Sequence, residues 1–286
     1  MSIRRWHPAA RTESIQLPST RQWTSKHPAK MHSGLALRLI KDYSEPGWLV
    51  ADVFAGSGTT LAIASQLQRR CVGVEIEQNF VASSNKFGSC VQASATRLPI
   101  DSDCVDFVLT SPPYGEAIGR SGDRSLAKTI AAKARYETKR FGSPISEHPT
   151  YGFHPLNIGS LPLSRTDSSC FVSLMPMVVS EIMRILKPGR IAAIVVKDQR
   201  LGRRSLGSFD LPGNIVKWGI DAGAIFYGRR YGLLPRECFT LWQRVNQERW
   251  GQPIPDIEQV ILLRKRGVAV IVRRRYDIMS GFTHGR

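Results

Sequence analysis

Two groups of residues in this chain have types and spacings that can do chemistry. The sharper is Ser111-Pro-Pro-Tyr114-Gly115. Consecutive prolines fix φ and carry no N–H, so their carbonyls are presented rigidly as acceptors. The Ser111 hydroxyl and the Pro112 carbonyl can together accept both hydrogens of an –NH2 group, with Pro113 keeping the turn stiff. An aromatic amine delocalises its lone pair into the ring. Holding both of its protons on acceptors favours a pyramidal nitrogen and exposes that lone pair to an electrophile. Tyr114 adds a ring face for stacking a base that has left its helix, as enzymes acting on base atoms require. In isolation a Pro-Pro pair also serves as a stiff post-strand turn, with Tyr114 as filler. Its position after the apolar run Asp106-Phe-Val-Leu-Thr110, downstream of a glycine turn, favours the chemical reading.

That glycine turn is the second group, Asp52-Val-Phe-Ala-Gly-Ser-Gly-Thr-Thr60. It joins a strand to a helix too tightly for large side chains, and Gly56 and Gly58 let backbone approach a ligand closely. The helix start offers N–H donors to an anion or carboxylate. The turn lacks the Gly-Lys-Ser/Thr ending of a phosphate loop and the spacing of the dinucleotide fingerprint. Glu75, at the end of the next strand, is placed to accept hydrogen bonds from ribose hydroxyls. A glycine turn alone is often only a tight turn; coupled to Glu75, it reads as a nucleoside site.

Alternating short elements position these groups. Apolar spacing predicts a helix over 35–43, ending before Glu45-Pro46-Gly47, then a buried strand over 48–54. The small-residue segment 61–67 suits a helix packed closely on a sheet, and strands follow over 71–76, 89–93 and 105–110. Further on come a helix over 171–186 closed by Lys187-Pro-Gly189, a strand over 190–196, a helix near 211–222, and strands over 223–229 and 258–263. Val268–Val272 is a candidate edge strand. The alternation predicts an α/β, doubly wound, mostly parallel sheet, in which ligands bind beyond the carboxyl ends of strands near the switch in strand order. The glycine turn, Glu75 and Ser111 all fall at such ends.

A chain of 286 residues accommodates one catalytic domain with appendages. We expect an irregular basic arm or simple flexible terminus over 1–26, the catalytic domain over 27–265 with an insertion over 115–168 after the fourth strand, and a tail or edge strand over 266–286. The 42% hydrophobic and 22% charged content is that of a soluble globular protein. No apolar run reaches the roughly 18 residues of a membrane span, and residues 1–8 lack the apolar core of a secretory signal, so a cytoplasmic location is expected. The five cysteines are dispersed without a C-x-x-C pair or a nearby His at ligand spacing, which argues against a metal or a disulfide framework. Forty Lys and Arg against 23 Asp and Glu give a net charge of +17. That excess suits a polyanionic partner without separating DNA from RNA.

Phe54-Ala-Gly-Ser-Gly-Thr-Thr60 and Ser111-Pro-Pro-Tyr114 together resemble the motifs of the S-adenosylmethionine-dependent DNA amino-methyltransferases of restriction–modification systems and phages. The resemblance covers about 27–115, and more loosely the Leu186-Lys-Pro-Gly189 turn and the strand ending at Lys265. It implies a seven-stranded Rossmann-like methyltransferase fold and S-adenosylmethionine as cofactor. Asp52, Phe54, Gly56, Ser57, Gly58 and Thr59 would line the cofactor, and Glu75 would hold its ribose. His27, Pro28 and Lys30 resemble the family segment that lines the methionine end. Ser94 takes the place where the family often has an adenine-contacting Asp. A tetrapeptide beginning with Ser is typical of cytosine-N4 enzymes, whereas Asp or Asn is commoner for adenine N6. In many relatives the catalytic motif precedes the cofactor motif; here the order is reversed, and no separate target-recognition domain fits the remaining length.

The expected activity is therefore methyl transfer to cytosine N4 in DNA, with adenine N6, an RNA base amine, or a silent nucleic-acid-binding module as rivals. Intact Gly56, Gly58, Glu75 and Ser111–Tyr114 argue against the silent module. Arg135, Lys139 and Arg140 in the insertion, and Arg200, Arg203 and Arg204 in the loop after the fifth strand, are the candidates for phosphate contact. Solvated charged loops would look similar. His148 and His154 have no partner legible in sequence and are assigned no role.

Overall fold

The structure is a computed structural model that describes residues 13–16, 31–113, 154, 156–161, 170–196, 199–200, 208–233 and 257–267. Helix α1 (Ser33–Tyr43) buries Leu35, Ala36, Leu39 and Ile40 along one face. The chain then enters strand β2 (Leu49–Asp52) through Glu45-Pro46-Gly47, where Gly47 sits at φ +82°. Next come α2 (Thr59–Gln66), β3 (Arg70–Glu75), α3 (Gln78–Ser84), β4 (Ser89–Gln92) and β5 (Val105–Thr110). A single 3-10 turn, Ile158–Ser160, precedes α4 (Phe171–Ile185) and β6 (Leu186–Val196). The short pair β7 (Gln199–Arg200) and β8 (Ser208–Phe209) leads to α5 (Leu211–Asp221), β9 (Ala224–Leu233) and β10 (Ile257–Lys265).

The sheet order is β1-β9-β10-β6-β5-β2-β3-β4, where β1 is Glu13–Gln16. Among the described strands of this sheet, only β10 runs antiparallel to its neighbours. Both faces are covered, and the central strands show it by alternation. Val108, Ile194, Ile261 and Leu263 join Phe171, Val178, Ile182, Leu211 and Trp218 in the core beneath α4 and α5. Phe107, Leu109, Val195, Val260 and Leu262 join Leu35, Leu39, Ile40 and Ile63 beneath α1 and α2. All of β5 is buried, with the apolar Phe107-Val108-Leu109 between the hydrogen-bonded Asp106 and Thr110.

The doubly wound parallel architecture expected from the sequence is present, with four differences. The sheet has eight strands, because residues 13–16 of the expected irregular arm pair in parallel with β9, Glu13 opposite Arg230 through Gln16 opposite Leu233. Helix α3 was not expected; it is short and largely polar, anchored by Phe80, Val81 and Ser84. Lys187-Pro188-Gly189 does not precede β6 but lies within it as a jog: the register passes from Val105 opposite Leu186 to Phe107 opposite Ile191, with Gly189 at φ +78°. The basic loop after β6 contains the β7–β8 pairing of Gln199 with Phe209 and Arg200 with Ser208. The candidate edge strand 268–272 lies outside the described residues.

At the amino ends of the central strands, Asp106 ties three elements together. Its carboxylate accepts from Leu49 N at 3.0 Å and from Lys187 Nζ at 2.8 Å, and Arg190 Nε stands 3.8 Å away. The Arg190 guanidinium also lies 3.7 Å from the centre of the Trp48 ring. Burial alone would raise the Asp106 carboxyl, but the Lys187 hydrogen bond, the Leu49 amide and the two cations outweigh it and hold the group below the usual carboxylate range. A depressed folded pKa stabilises the fold fully above the ordinary carboxylate value, and that contribution is lost as pH falls through the folded one. We predict that Asp106→Ala costs about 1–3 kcal/mol at neutral pH, mainly by stranding the Leu49 amide. The variant should also lose less stability than wild type on acidification. Urea melts from neutral to acid pH test this; equal midpoints and equal acid slopes would contradict it.

Candidate active site

Strand β2 is the switch in strand order: β3 and β4 extend the sheet on one side of it, β5 and β6 on the other. Such a point opens a crevice at the carboxyl ends, and there the structure joins the two sequence motifs. Asp52 Oδ1 accepts from Thr110 Oγ1 at 2.7 Å and from Phe54 N at 3.0 Å. The last residue of β2 is thus bonded to the last residue of β5, immediately before Ser111. Asp52 is buried, and desolvation pushes its carboxyl up against the pull of these hydrogen bonds.

The turn between Asp52 and α2 is held from several sides. Ala55 N donates to Val74 O at 3.0 Å and Gly58 N to Ala55 O at 2.8 Å. Gly56 and Gly58 have φ of +50° and +89°, values that side-chain-bearing residues rarely adopt. A Cβ on Gly58 would also stand 3.0 Å from both Ser84 Cα and a Phe87 ring carbon, and Ser84 Oγ donates to Gly56 O at 2.7 Å. Gly58 is therefore required by conformation and by the close approach of α3, in addition to any ligand. Phe54 and Thr59 are half-buried and Ser57 is buried; Gly58 begins α2 without a side-chain acceptor for its first N–H groups.

Glu75 grips the same turn. Its Oε2 accepts from Gly56 N at 2.8 Å, and its Oε1 from Ile76 N at 2.8 Å and Glu77 N at 3.0 Å. Desolvation pushes its carboxyl up, opposed by those three amides. An ionised carboxylate has about four lone-pair sites, so three amides orient Glu75 and leave capacity for a hydroxyl. That fits the ribose of an adenosyl cofactor beside a turn stripped of side chains. Ser94, by contrast, is engaged locally: its Oγ lies 2.8 Å from Thr96 Oγ1 and accepts from Thr96 N at 3.3 Å.

On the other side of Asp52, Ser111 Oγ donates to Val195 O at 3.1 Å. Its proton is thereby directed to β6, which leaves its lone pairs as acceptors. Pro112 is buried and Pro113 half-buried. Among the sequence candidates, the structure thus brings Asp52, Phe54, Gly56, Ser57, Gly58, Thr59, Glu75, Ser111, Pro112 and Pro113 to one edge of the sheet. His27, Pro28, Lys30, Tyr114, Arg135, Lys139, Arg140, Arg203 and Arg204 lie outside the described residues, and Arg200 is described only as backbone in β7.

Several participants escaped the sequence reading. Thr110 had a signal, as the terminal polar residue of an apolar strand; Val195 and Ser84 had none, since their contacts bridge 84 and 28 residues. His32 caps α1: its Nδ1 accepts from Gly34 N at 3.1 Å, its Nε2 is buried with no hydrogen-bond partner among the described residues, and desolvation lowers its pKa. Among the described residues there is no cluster of three or more His, Cys, Asp or Glu able to hold a metal. No helix among them is long and apolar enough to cross a membrane.

Comparison with known proteins finds a likeness over the first part of the chain. Residues 4–86 match the family model described as DNA methylase, of the N6/N4 type. The chain is 34% identical over 65 residues to the type II methyltransferase M2.DpnII of Streptococcus pneumoniae, and 40% identical over 70 residues to the type II methyltransferase M.BglI of Bacillus subtilis. These stretches cover 23% and 24% of this chain, and only 24% and 20% of the two curated relatives. Among solved structures, the cyclase SpnF superposes with a TM-score of 0.50 at 12% identity, covering 86% of each chain, a likeness of fold alone. The matched family, whose match over residues 4–86 includes the glycine turn and Glu75, implies S-adenosylmethionine as the cofactor. The sheet is Rossmann-like, and residues 4–86 are similar in sequence to the N6/N4 DNA methylase family.

Proposed function

We propose that this chain transfers a methyl group from S-adenosylmethionine to the exocyclic amine of a base in DNA, with cytosine N4 as the target, in the manner of a type II modification enzyme. The observation that carries the reading is the 2.7 Å bond from Thr110 to Asp52, because it couples the cofactor turn to the turn that begins at Ser111. Cytosine N4 is preferred to adenine N6 because the catalytic tetrapeptide begins with Ser. The charge of +17 suits a phosphate backbone.

Bound S-adenosylmethionine supplies an electrophilic methyl group on a sulfonium. The chain's part is to bind, orient and prepare the acceptor. Glu75 takes a ribose hydroxyl, and Asp52 fixes the start of the glycine turn through Phe54 N. Ser111, its own proton engaged by Val195 O, accepts one amine hydrogen while the Pro112 carbonyl accepts the other. Both acceptors are fixed before the amine arrives, so little reorganisation remains for the reaction, and positioning of this kind supplies much of a displacement's acceleration. Tyr114 is assigned the stacking of the extruded base.

Labelled S-adenosylmethionine, followed by digestion of the product to nucleosides, tests the reading. N4-methylcytosine from DNA is expected. N6-methyladenine would move the target, label in RNA alone would move the substrate, and no label in any nucleic acid would overturn the enzyme. Ser111→Ala should lower the methylation rate about 100-fold, the scale of losing one preorganised polar contact to the reacting group, with cofactor affinity nearly unchanged. Full activity would refute the assignment. Glu75 makes a different forecast by calorimetry. Both of its oxygens accept N–H groups, so in Glu75→Gln the new NH2 must face a donor whichever way the amide turns. That variant should bind cofactor about as poorly as Glu75→Ala, each weakened by about 10- to 100-fold; near-normal affinity in Glu75→Gln would contradict the geometry.

A further inference from the structure

Residues 154 and 156–161 lie at the same edge of the sheet and are built into both halves of the site. Glu77, two residues beyond Glu75, is a buried carboxylate. Its Oε1 accepts from Asn157 Nδ2 at 2.8 Å and from His154 N at 3.0 Å. Its own backbone N–H is held by Glu75 at 3.0 Å. Asn157, also buried, uses its Oδ1 to accept from Gly159 N at 3.0 Å and so starts the 3-10 turn. Ile158 is buried in the core cluster that includes Phe171 and Met175. Gly159 lies so close to the catalytic turn that an added Cβ would stand 2.7 Å from Pro113 Cβ and 3.2 Å from its Cγ. No atom larger than hydrogen fits between them.

We propose that Glu77, Asn157 and Gly159 are positioning residues for methyl transfer: the Glu77–Asn157 bond seats Gly159 against Pro113 and thereby sets the place of the Ser111-Pro112-Pro113 acceptors relative to the cofactor edge. The inference rests on the methyl-transfer reading above and deepens it. Two carboxylates then divide the work, Glu75 at the end of β3 fixing the cofactor turn and Glu77 at the start of α3 fixing the acceptor turn through Asn157 and Gly159. Misplacing a reacting group by about 1 Å can cost about 100-fold in rate even when the substitution lies away from the chemistry.

The two carboxylates give opposite forecasts for the same substitution. Only one oxygen of Glu77 receives Asn157 and His154, so Glu77→Gln can present its carbonyl oxygen to both donors and should retain methylation within about threefold. Glu77→Ala, Asn157→Ala and Gly159→Ala should each lower kcat by about 10- to 100-fold. Cofactor affinity by calorimetry should stay within about twofold, because the three amides on Glu75 remain in place. Full-length protein carrying each change is assayed for kcat, cofactor Kd and melting temperature. Hydrogen exchange at the Thr110 and Ser111 amides is followed alongside and needs no turnover: it should accelerate in Glu77→Ala and Asn157→Ala and match wild type in Glu77→Gln.

Wild-type protein that methylates no nucleic acid would remove the function while leaving the exchange result to judge the positioning claim. Wild-type methylation with kcat unchanged in Glu77→Ala and Asn157→Ala would overturn the positioning claim and leave the function standing. So would a loss of kcat matched by an equal loss of cofactor affinity or by unfolding, or a Glu77→Gln variant as impaired as Glu77→Ala.

Discussion

Asp52 closes β2 with its carboxylate bonded to the Thr110 hydroxyl at 2.7 Å and to the Phe54 amide at 3.0 Å, buried at the point where the sheet changes its direction of winding. The position is costly for a charge, since desolvation pushes the group toward its neutral form. The hydrogen bonds offset that cost only if β2 and β5 end level with one another. One interaction therefore fixes the relative height of the two strands and the start of the two turns that leave them. Everything assigned to the site depends on that alignment, since the glycine turn and the Ser111 turn would otherwise be independent loops.

Around this pair the acceptor and donor capacities are arranged by elimination. Glu75 uses three of its lone-pair sites on backbone amides and keeps capacity for a ligand hydroxyl. Ser111 gives its proton to Val195 and keeps its lone pairs. The two prolines after it have no N–H to offer. The edge is thus rich in oriented acceptors, which suits ligands that bring N–H and O–H groups, such as a ribose and a base amine. At the opposite end of the strands, Asp106 gathers cations and an amide into a staple that holds the same β2–β5–β6 trio.

Much of this was legible from residues alone, because the central strands are buried on both faces and announce themselves as apolar runs. Phe107-Val108-Leu109 in β5 is the clearest case, and the glycine turn and Glu75 follow from their places at strand ends. Other features were illegible for physical reasons. Helix α3 has only three buried anchors in a polar stretch, too few for a periodicity to emerge, yet it explains part of why residue 58 is glycine. Strand β1, Glu-Ser-Ile-Gln, carries no alternation of its own and is a strand only because β9 offers an edge. The bonds that assemble the site span 58 residues from Asp52 to Thr110 and 80 from Glu77 to Asn157. No local pattern encodes such pairs; the first follows from strand order, and the second joins the start of α3 to the start of the 3-10 turn.

Cofactor and acceptor amine are proposed to meet across the Asp52–Thr110 bond. A crystal structure with an unreactive amine analogue of S-adenosylmethionine decides this. The analogue's ribose should lie on Glu75, with the amine that replaces its methyl-bearing sulfonium turned toward Ser111 and Pro112. An analogue bound away from Glu75, or with that amine turned from Ser111 toward α3, would contradict it.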